Sequence, residues 1–469
     1  MASEIGCFYL LTFEGLRTKT MRYWHYEMHT HHTEKNRLGY RMQFFTVLLL
    51  LSSIAITTLE AQDVQSNPLS RMAYGTLKGP VAVAWQGMGG VGVGLNDSQV
   101  INLKNPAAYA GTDSLSFLMD VGVSVNMGRF QDVQHSRNAF LGGLEYVAIQ
   151  FPVYRNLLGL SFGVKPFSFS GYGLVSTSSI GKEDKAVLTQ TFTGKGAIQK
   201  AYLGLAGRVF DRFYIGANVN YLFGHLSHTV ATTPNSTNMS QSIMTNVIRL
   251  RDFGVDLGMQ YLQPLDTETK DFLIVGATYS PTMPLRPTIT VQSNENAGDP
   301  LRPKIETKVE RMNTRLPNEV AVGFSWTRPN KYVLGLDVAY SGWGRVPSVF
   351  GNDGVTFEDS YSAGLGFEYL PNVFSRKYSE VIKYRLGMSY SGSYLKFSPV
   401  GQTHTIGASL GMGLPVNFFG TERPSVLNLS LNYDRTFGEK KRTGITLDVI
   451  KLTLGITFNE TWFRELRIY

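Results

Sequence analysis

The chain has 469 residues, of which 43% are hydrophobic, 12% aromatic and 17% charged, and its mean hydropathy is −0.08. That hydropathy excludes a protein built from membrane-spanning helices. The formal net charge of +8 comes from basic residues that are scattered along the chain, with no Lys/Arg run longer than residues 440–442, which argues against nucleic-acid binding.

The first 61 residues are predicted to be a leader that ends in a signal peptide. An apolar stretch covers residues 44–59, follows Arg37 and Arg41, and is shorter than the ~20 residues that a membrane-spanning helix needs. We expect cleavage after Ala61. Cys7 is the only cysteine, so the cleaved chain is expected to lack disulfides and thiolate metal sites.

Glycines crowd residues 85–94, which read Trp-Gln-Gly-Met-Gly-Gly-Val-Gly-Val-Gly. This stretch superficially matches a phosphate-binding loop, but no hydrophobic strand precedes it, no Lys-Ser/Thr follows it, and no ribose-binding acid stands in a βαβ context. Further along, Asn105, Pro106 and Ala107 form a corner before the first regular strand. Glycines with an Asn cap and a proline corner suit a closely packed backbone that satisfies its own polar groups.

From Leu115 onward the sequence alternates with a period of two, which indicates β-strands. In residues 425–437, Leu and Tyr side chains share one face, and Asn, Ser and Asp side chains share the other. A soluble sheet would carry Lys, Glu and Thr on its outer face, whereas this polar face has small side chains and the charges stand at strand ends. The pattern predicts an all-β fold, a transmembrane antiparallel β-barrel with a polar interior.

The alternation gives fourteen strands, an even number, as single-chain bacterial barrels require. Tyr or Trp stands near the ends of many strands, as expected at membrane interfaces. If the first strand runs outward, short turns face one side, and longer connections near 175–195, 229–243, 281–315 and 344–358 face outside. The predicted strands cover 115–127, 139–151, 157–174, 196–210, 213–228, 244–262, 271–280, 316–327, 331–343, 359–370, 383–395, 404–415, 425–437 and 445–458.

The third predicted strand contains a proline, and its alternation of apolar and polar residues shifts by one position after it. Pro166 has no N–H to donate to the ladder. Outward apolar positions are even-numbered before it, whereas Phe167 and Phe169 after it are odd-numbered, which predicts a bulge or kink. Relief of curvature at the rim would explain such a bulge without any function. A similar change of phase between Val449 and Ile450 predicts a slip in the last strand.

The order of these sequence segments resembles that in the FadL-like outer-membrane transporters for long-chain fatty acids and other hydrophobic molecules. In that family a glycine-rich turn and an Asn-Pro-Ala corner precede the barrel, as residues 85–94 and 105–107 do here. Leu316 and Pro317, followed by a strand, a turn, a strand and the terminal Trp343, continue the resemblance. It covers nearly all of 62–458, and the family's barrel also has fourteen strands.

The resemblance implies a domain order and two sites. The regions are a leader and signal peptide (1–61), an N-terminal plug (62–114), the barrel (115–458) and a C-terminal extension (459–469). In the family a kink in the third strand opens the wall sideways. The implied plug residues are Gly87, Gly89, Gly90, Asn105, Pro106 and Ala107, and the implied lateral gate consists of Pro166, Phe167, Phe169 and Gly171.

The function that the resemblance implies is passive uptake of a fatty-acid-like or aromatic molecule, released sideways from a barrel in the outer membrane of a Gram-negative bacterium. The implied partners are that ligand, outer-membrane lipid, and lipopolysaccharide facing the basic loops. The end of the last strand, Lys451 to Phe458, is similar to the signal that the barrel-insertion machinery recognises, although the chain continues to Tyr469. No cofactor and no metal are implied.

Two other classes of function compete with transport. Some outer-membrane barrels are enzymes, but no motif joins the four histidines beyond the leader to Ser or Asp, so we expect a non-enzyme and assign no catalytic residue. Relatives of this barrel in some lineages resemble secretion-system accessory proteins. The alternative is therefore a non-transporting outer-membrane scaffold that binds secretion-system components. A dry, apolar cavity joined to a gap in the wall would favour transport.

Overall fold

A computed structural model describes residues 67–131, 136–154, 157–180, 186–235, 240–295, 305–347, 354–398, 400–416, 424–439 and 446–461. The predicted leader and the predicted C-terminal extension beyond Thr461 lie outside these residues. Within the described part of the chain, no helix combines the length and apolarity that crossing a membrane requires.

Fourteen antiparallel strands close into a barrel, as the alternation predicts. The last strand pairs with the first from Ser116 opposite Thr461 to Gln131 opposite Thr446, which closes the sheet. We number the strands β1 Ser116–Gln131, β2 Ser136–Tyr154, β3 Leu158–Phe169, β4 Ala186–Val209, β5 Phe213–Pro234, β6 Ser242–Pro264, β7 Phe272–Ser280, β8 Glu319–Arg328, β9 Tyr332–Ser341, β10 Ser360–Tyr369, β11 Lys383–Phe397, β12 Gly401–Val416, β13 Ser425–Gly438 and β14 Thr446–Thr461.

The two faces of the barrel follow the alternation. In β13, Leu431 is exposed, whereas Ser430 is buried on the opposite face. Directly paired residues point to the same side of an antiparallel ladder, and Leu431 lies opposite Leu410 of β12 and Leu452 of β14. The registers therefore join the apolar faces of neighbouring strands into a continuous outer band.

At the end of the barrel with the long connections, the strands reach beyond their predicted limits. β4 begins at Ala186 and pairs with a short strand, Tyr172–Ile180, that continues β3 after a break. β5 and β6 likewise extend through most of the predicted connection 229–243. These extensions are rich in Thr, Ser and Val, which favour strands, but they lack a continuous apolar face, so the alternation rule missed them.

The last strand is regular where a slip was predicted, and that prediction is wrong. Met127 pairs with Ile450 and Gly128 with Val449, without a shift of register. The apolar side chain of Leu447 is buried while Ile450 is exposed, so the apolar residues of β14 occupy both faces. An apolar residue at an inward position had suggested the change of phase.

The remaining elements are short. The 3₁₀ helices are Pro68–Arg71, Pro106–Gly111 and Trp343–Arg345, and the α-helices are Val83–Gln86 and Tyr378–Val381. The short strands are Thr76–Leu77, Met283–Leu285, Thr288–Asn294, Ile305–Arg311, Thr314–Leu316 and Val355–Phe357.

Two clusters of buried apolar side chains lie among these elements. The first, the inner cluster, combines residues 82–110 of the N-terminal segment with tyrosines of the strands, including Tyr146 and Tyr202. The second, the loop-end cluster, combines Tyr74 with Trp343 and Tyr394, among others. Residues of the N-terminal segment therefore take part in both clusters.

Candidate functional site

The ladder between β2 and β3 covers only part of the two strands. Pairing runs from Tyr154 opposite Leu158 to Val147 opposite Val164 and stops there. The preceding part of β2 remains paired with β1 up to Ser136 opposite Gln131. The two strands therefore separate, and we call the region between residues 141–147 of β2 and 164–171 of β3 the wall opening.

The predicted bulge is present in β3. Pro166 pairs with Gln199 of β4, and the next pair is Ser168 with Ile198, which leaves Phe167 as the extra residue. Phe167 packs against the loop-end cluster. Sequence parity had placed it on the same side as Phe169, but the unpaired residue of a bulge does not follow the alternation.

Three of the four predicted gate residues line a cavity in the wall opening. Pro166, Phe169 and Gly171 border it from the β3 side, and residues 141–144 border it from the β2 side. Its volume is about 20 Å³, enough for a single water molecule. Phe167, the fourth predicted residue, packs against the loop-end cluster instead.

The N-terminal segment reaches into the same opening. Thr76 and Leu77 pair in antiparallel fashion with Phe169 and Ser168, on the edge of β3 that β2 has left. The next residue, Lys78, places its Nζ 3.2 Å from Oε1 of Glu145 in β2. These contacts connect the two strands across the opening.

Glu145 stands at a second bulge, in β2. Gly122 of β1 pairs with Tyr146, and the next residue, Val123, pairs with Leu144, so Glu145 is skipped. Its carboxylate lies 3.0 Å from Nζ of Lys451 and accepts a hydrogen bond from the Ser124 hydroxyl. Sequence reasoning missed this residue, although an acid within the otherwise uncharged stretch 139–151 was a usable signal.

The predicted plug glycines approach the strands closely. Gly89 donates its N–H to Oγ of Ser409 at 2.8 Å, and its φ is +66°. A Cβ at Gly89 would lie 2.3 Å from the carbonyl oxygen of Met388, and one at Gly87 would lie 2.7 Å from Cα of Gly411. Gly90 also has a positive φ, +74°, but has more space around it.

The predicted Asn-Pro-Ala corner forms a helix cap. Asn105 is fully buried, and its Oδ1 accepts a hydrogen bond from the N–H of Ala107 at 3.0 Å. Its Nδ2 donates to the carbonyl of Val93 at 2.8 Å and to that of Met259 in β6 at 3.2 Å. A Cβ at Gly216 would lie 2.5 Å from the backbone of Pro106. The corner thus joins the N-terminal segment to the inner faces of β5 and β6.

A carboxylate of β9 forms a further contact that sequence reasoning did not single out. Oδ2 of Asp337 accepts hydrogen bonds from the N–H groups of Gly92 at 2.7 Å and Val93 at 3.0 Å. Lys104 Nζ lies 3.3 Å from the same oxygen. Asp337 occupies an inward position among apolar residues, as many other polar residues of this chain do, so no local pattern distinguishes it.

A larger cavity lies near the short turns. Its volume is about 560 Å³, and its lining includes apolar residues such as Trp85 and Leu370. Charged side chains also line it, and Lys383 places its Nζ 3.5 Å from Asp97 and 3.8 Å from Glu368. Among the residues that the structure describes, the lining of this cavity has none in common with the wall opening, and it includes paired charges, so it does not match the dry, apolar cavity that would favour transport.

The described histidines do not assemble a catalytic or metal group. His228 Nδ1 lies 2.9 Å from the Tyr172 hydroxyl, and His404 Nδ1 lies 2.9 Å from the Tyr390 hydroxyl. Across the described ranges, no three His, Cys, Asp or Glu side chains are grouped so that they could hold a metal ion. His135 lies outside the described residues.

Solved structures with a similar fold include toluene transporters and a FadL homologue. The toluene transporter TodX of Pseudomonas putida is 13% identical with a TM-score of 0.53, over 83% of this chain and 100% of that one. The toluene transporter TbuX of Ralstonia pickettii is 14% identical with a TM-score of 0.52, over 81% and 98%. A FadL homologue of Pseudomonas aeruginosa is 15% identical with a TM-score of 0.51, over 81% and 99%. At these identities the likeness establishes the fold alone.

Comparison at the sequence level gives the family. No curated protein matches this chain. A family model described as BamG matches residues 43–469, which is most of the chain. The chain therefore belongs to the BamG family, and its barrel has the FadL-like fold.

Proposed function

We propose that this chain takes up hydrophobic small molecules passively across the outer membrane of a Gram-negative bacterium and releases them sideways through the wall opening. The observation that carries the proposal is the separation of β2 from β3 beyond Val147 and Val164, next to the Phe167 bulge. A strand that stops pairing leaves a passage between the interior and the surrounding lipid.

The position of the opening supports lateral release. Phe140 of β2 and Val164 of β3 border it and are exposed on the apolar outer surface. A hydrophobic molecule that passes between these strands would enter hydrocarbon directly and would avoid transfer through water. The toluene transporters of similar fold support an aromatic ligand, and a fatty-acid-like ligand is the other class that we propose.

In this proposal the N-terminal segment is the plug. Gly87, Gly89 and residues 105–107 hold it against the strands, and Gly90 supplies a positive φ within it. The short turns face the periplasm, and the basic loops at the opposite end face lipopolysaccharide. The barrel-insertion machinery recognises the end of β14. The proposal includes no catalytic step and no cofactor.

The decisive experiment measures uptake of radiolabelled toluene and oleate in cells that express or lack the protein. A variant that removes the bulge, with Phe167 deleted and Pro166→Val, should restore a regular β3 and reduce uptake. Pro415→Val, in β12 away from the opening, is the matched control and should leave uptake unchanged. Equal uptake in expressing and non-expressing cells would overturn the proposal.

A second candidate is a non-transporting scaffold that binds secretion-system components. The observation that favours it is the packing of the interior, where Gly87, Gly89 and Asn105 contact strand backbones closely and the larger cavity is lined by paired charges. A barrel whose strands are contacted this closely by the N-terminal segment is suited to holding a surface in place. Copurification of secretion components from membranes of expressing cells, together with unchanged uptake, would favour the scaffold.

A further inference from the structure

The edge of β3 at the wall opening is not left open to lipid. Thr76 and Leu77 pair with Phe169 and Ser168, and the N–H of Lys78 donates to the carbonyl of Phe167 at 2.9 Å. An unpaired backbone group in hydrocarbon costs several kcal/mol. These three residues of the N-terminal segment therefore supply hydrogen bonds that β2 does not supply there.

The side chain of Lys78 closes the other half of the opening. Its Nζ lies 3.2 Å from Oε1 of Glu145 on β2 and 5.1 Å from the ring centre of Phe169 on β3. A single lysine thus contacts both strands that border the opening. Its side chain is 25% exposed, whereas that of Glu145 is 7% exposed, so the lysine has access to solvent and the carboxylate does not.

The attachment of these residues is suited to release. The ladder between Thr76–Leu77 and β3 is only two residues long, whereas the neighbouring strands of the barrel form far longer ladders. When Lys78 leaves, Glu145 keeps Lys451 at 3.0 Å and the Ser124 hydroxyl at 2.5 Å. The buried carboxylate is therefore still paired in the open state, which lowers the cost of opening.

A tight turn sets the position of the short strand. Gly75 has φ +76°, and a Cβ there would lie 2.3 Å from the carbonyl oxygen of Phe169. The carbonyl of Gly75 accepts a hydrogen bond from the Tyr394 hydroxyl at 2.6 Å. Only glycine fits this approach without displacing Thr76 from β3.

We propose that Thr76–Lys78 form a latch that closes the wall opening and must unpair from β3 before anything passes between the lumen and the membrane. That the latch controls ligand release rests on the proposed function. That it closes the opening does not, and it can be tested without a transported ligand.

The test uses a single thiol behind the latch. Asn126 lines the cavity in the wall opening, and Asn126→Cys in a Cys7→Ser background supplies the only cysteine. The purified full-length protein is placed in phospholipid vesicles that contain N-hexadecylmaleimide, a reagent confined to the bilayer, and the rate of labelling is followed. We call the Asn126→Cys, Cys7→Ser protein the reporter. The same measurement is made on the reporter after adding Gly75→Ala, Lys78→Met or Gly79→Ala, one at a time.

The variants separate the latch from general effects on the fold. Gly75→Ala displaces the turn, and Gly79→Ala adds a Cβ that has no atom within 4 Å. Lys78→Met leaves the turn unchanged and removes the ammonium, and with it the ion pair with Glu145 and the contact with the Phe169 ring. We expect labelling to be faster by about tenfold with Gly75→Ala and by a smaller factor with Lys78→Met. Gly79→Ala should label at the reporter's rate. If Gly75→Ala does not fold, Lys78→Met carries the test, and equal rates for all folded variants would overturn the latch.

A cross-link links the latch to uptake. Leu77→Cys with Ser168→Cys, also in the Cys7→Ser background, places two thiols at directly opposed positions, within reach of a disulfide. The proposal expects uptake of labelled toluene to fall when the disulfide forms and to recover on reduction. Measurable uptake that is equal in both redox states would overturn control of ligand release by the latch. If the wild-type protein takes up nothing while Gly75→Ala still speeds labelling, the uptake function fails and the latch stands.

Discussion

Oδ2 of Asp337, on β9, accepts a hydrogen bond of 2.7 Å from the backbone N–H of Gly92 in the N-terminal segment. The two residues are 245 positions apart in sequence. The same oxygen accepts from the N–H of Val93, so one inward carboxylate satisfies two successive backbone donors. This contact holds the middle of the N-terminal segment against β9.

Replacing Asp337 should loosen the N-terminal segment without opening the barrel. Asp337→Ala leaves the two N–H groups without their acceptor, and each buried unpaired donor costs about 1–3 kcal/mol. Limited proteolysis in detergent should then cut the segment faster, while the barrel keeps its heat-modifiable migration on gels. Asp337→Asn, which keeps one acceptor oxygen, should show a smaller effect, and equal cleavage of all three proteins would contradict the assignment.

The two positive-φ glycines of the segment should respond differently to alanine. Gly89→Ala places a Cβ 2.3 Å from the Met388 carbonyl and 2.5 Å from that of Leu365, whereas Gly90→Ala meets only Val81 at 3.9 Å. The left-handed backbone destabilises both variants by about 1–2 kcal/mol. In Gly89→Ala, overlap of the new Cβ with the two carbonyl oxygens destabilises the fold by about 1–3 kcal/mol more. The midpoint of urea unfolding of Gly89→Ala in vesicles should therefore be well below that of Gly90→Ala. Equal midpoints would refute the close approach.

Two ion pairs of β11 allow burial to be compared directly. Arg385 is buried and donates to Glu368 at 2.7 Å, whereas Lys396 and Glu358 form a pair at 3.1 Å with side chains 48% and 43% exposed. Arg385→Ala should cost about 3–5 kcal/mol because a buried carboxylate loses its closest partner. Lys396→Ala should cost at most about 1 kcal/mol. The free energies of unfolding of the two variants measure this contrast.

One turn should show a defined acid dependence. Arg328 donates to both carboxylate oxygens of Asp271, at 2.8 and 2.7 Å, and these hydrogen bonds lower the pKa of Asp271. A lowered native pKa adds stability above the ordinary carboxyl pKa, and that stability is lost as the pH falls through the native pKa. Asp271→Asn should therefore be less stable than wild type at pH 7.

The difference between Asp271→Asn and wild type should shrink as the pH is lowered past about 4, where an unperturbed Asp becomes protonated. Unfolding of both proteins in vesicles from pH 7 to pH 3 tests this. A difference that stays constant over the range would show that the carboxylate charge is not responsible.

Much of the barrel could be predicted because the signal is local. A strand with lipid on one side and a filled interior on the other must alternate at each residue, so Leu427 to Tyr433 alone reveal both faces. The bulge in β3 was also readable, because Pro166 and the following change of parity lie within four residues. The same rule failed at Val449, since it assumes that every inward residue is polar.

The sequence by itself determined the fold class, the fourteen strands and the direction that most side chains face. Only the tertiary structure decided what closes the wall opening, because Lys78 meets Glu145 across 67 positions and Glu145 meets Lys451 across 306. Closure of the barrel brings these residues together. Period-two alternation contains information about the faces of each strand, but it contains none about which inward residues meet once the ring of strands closes.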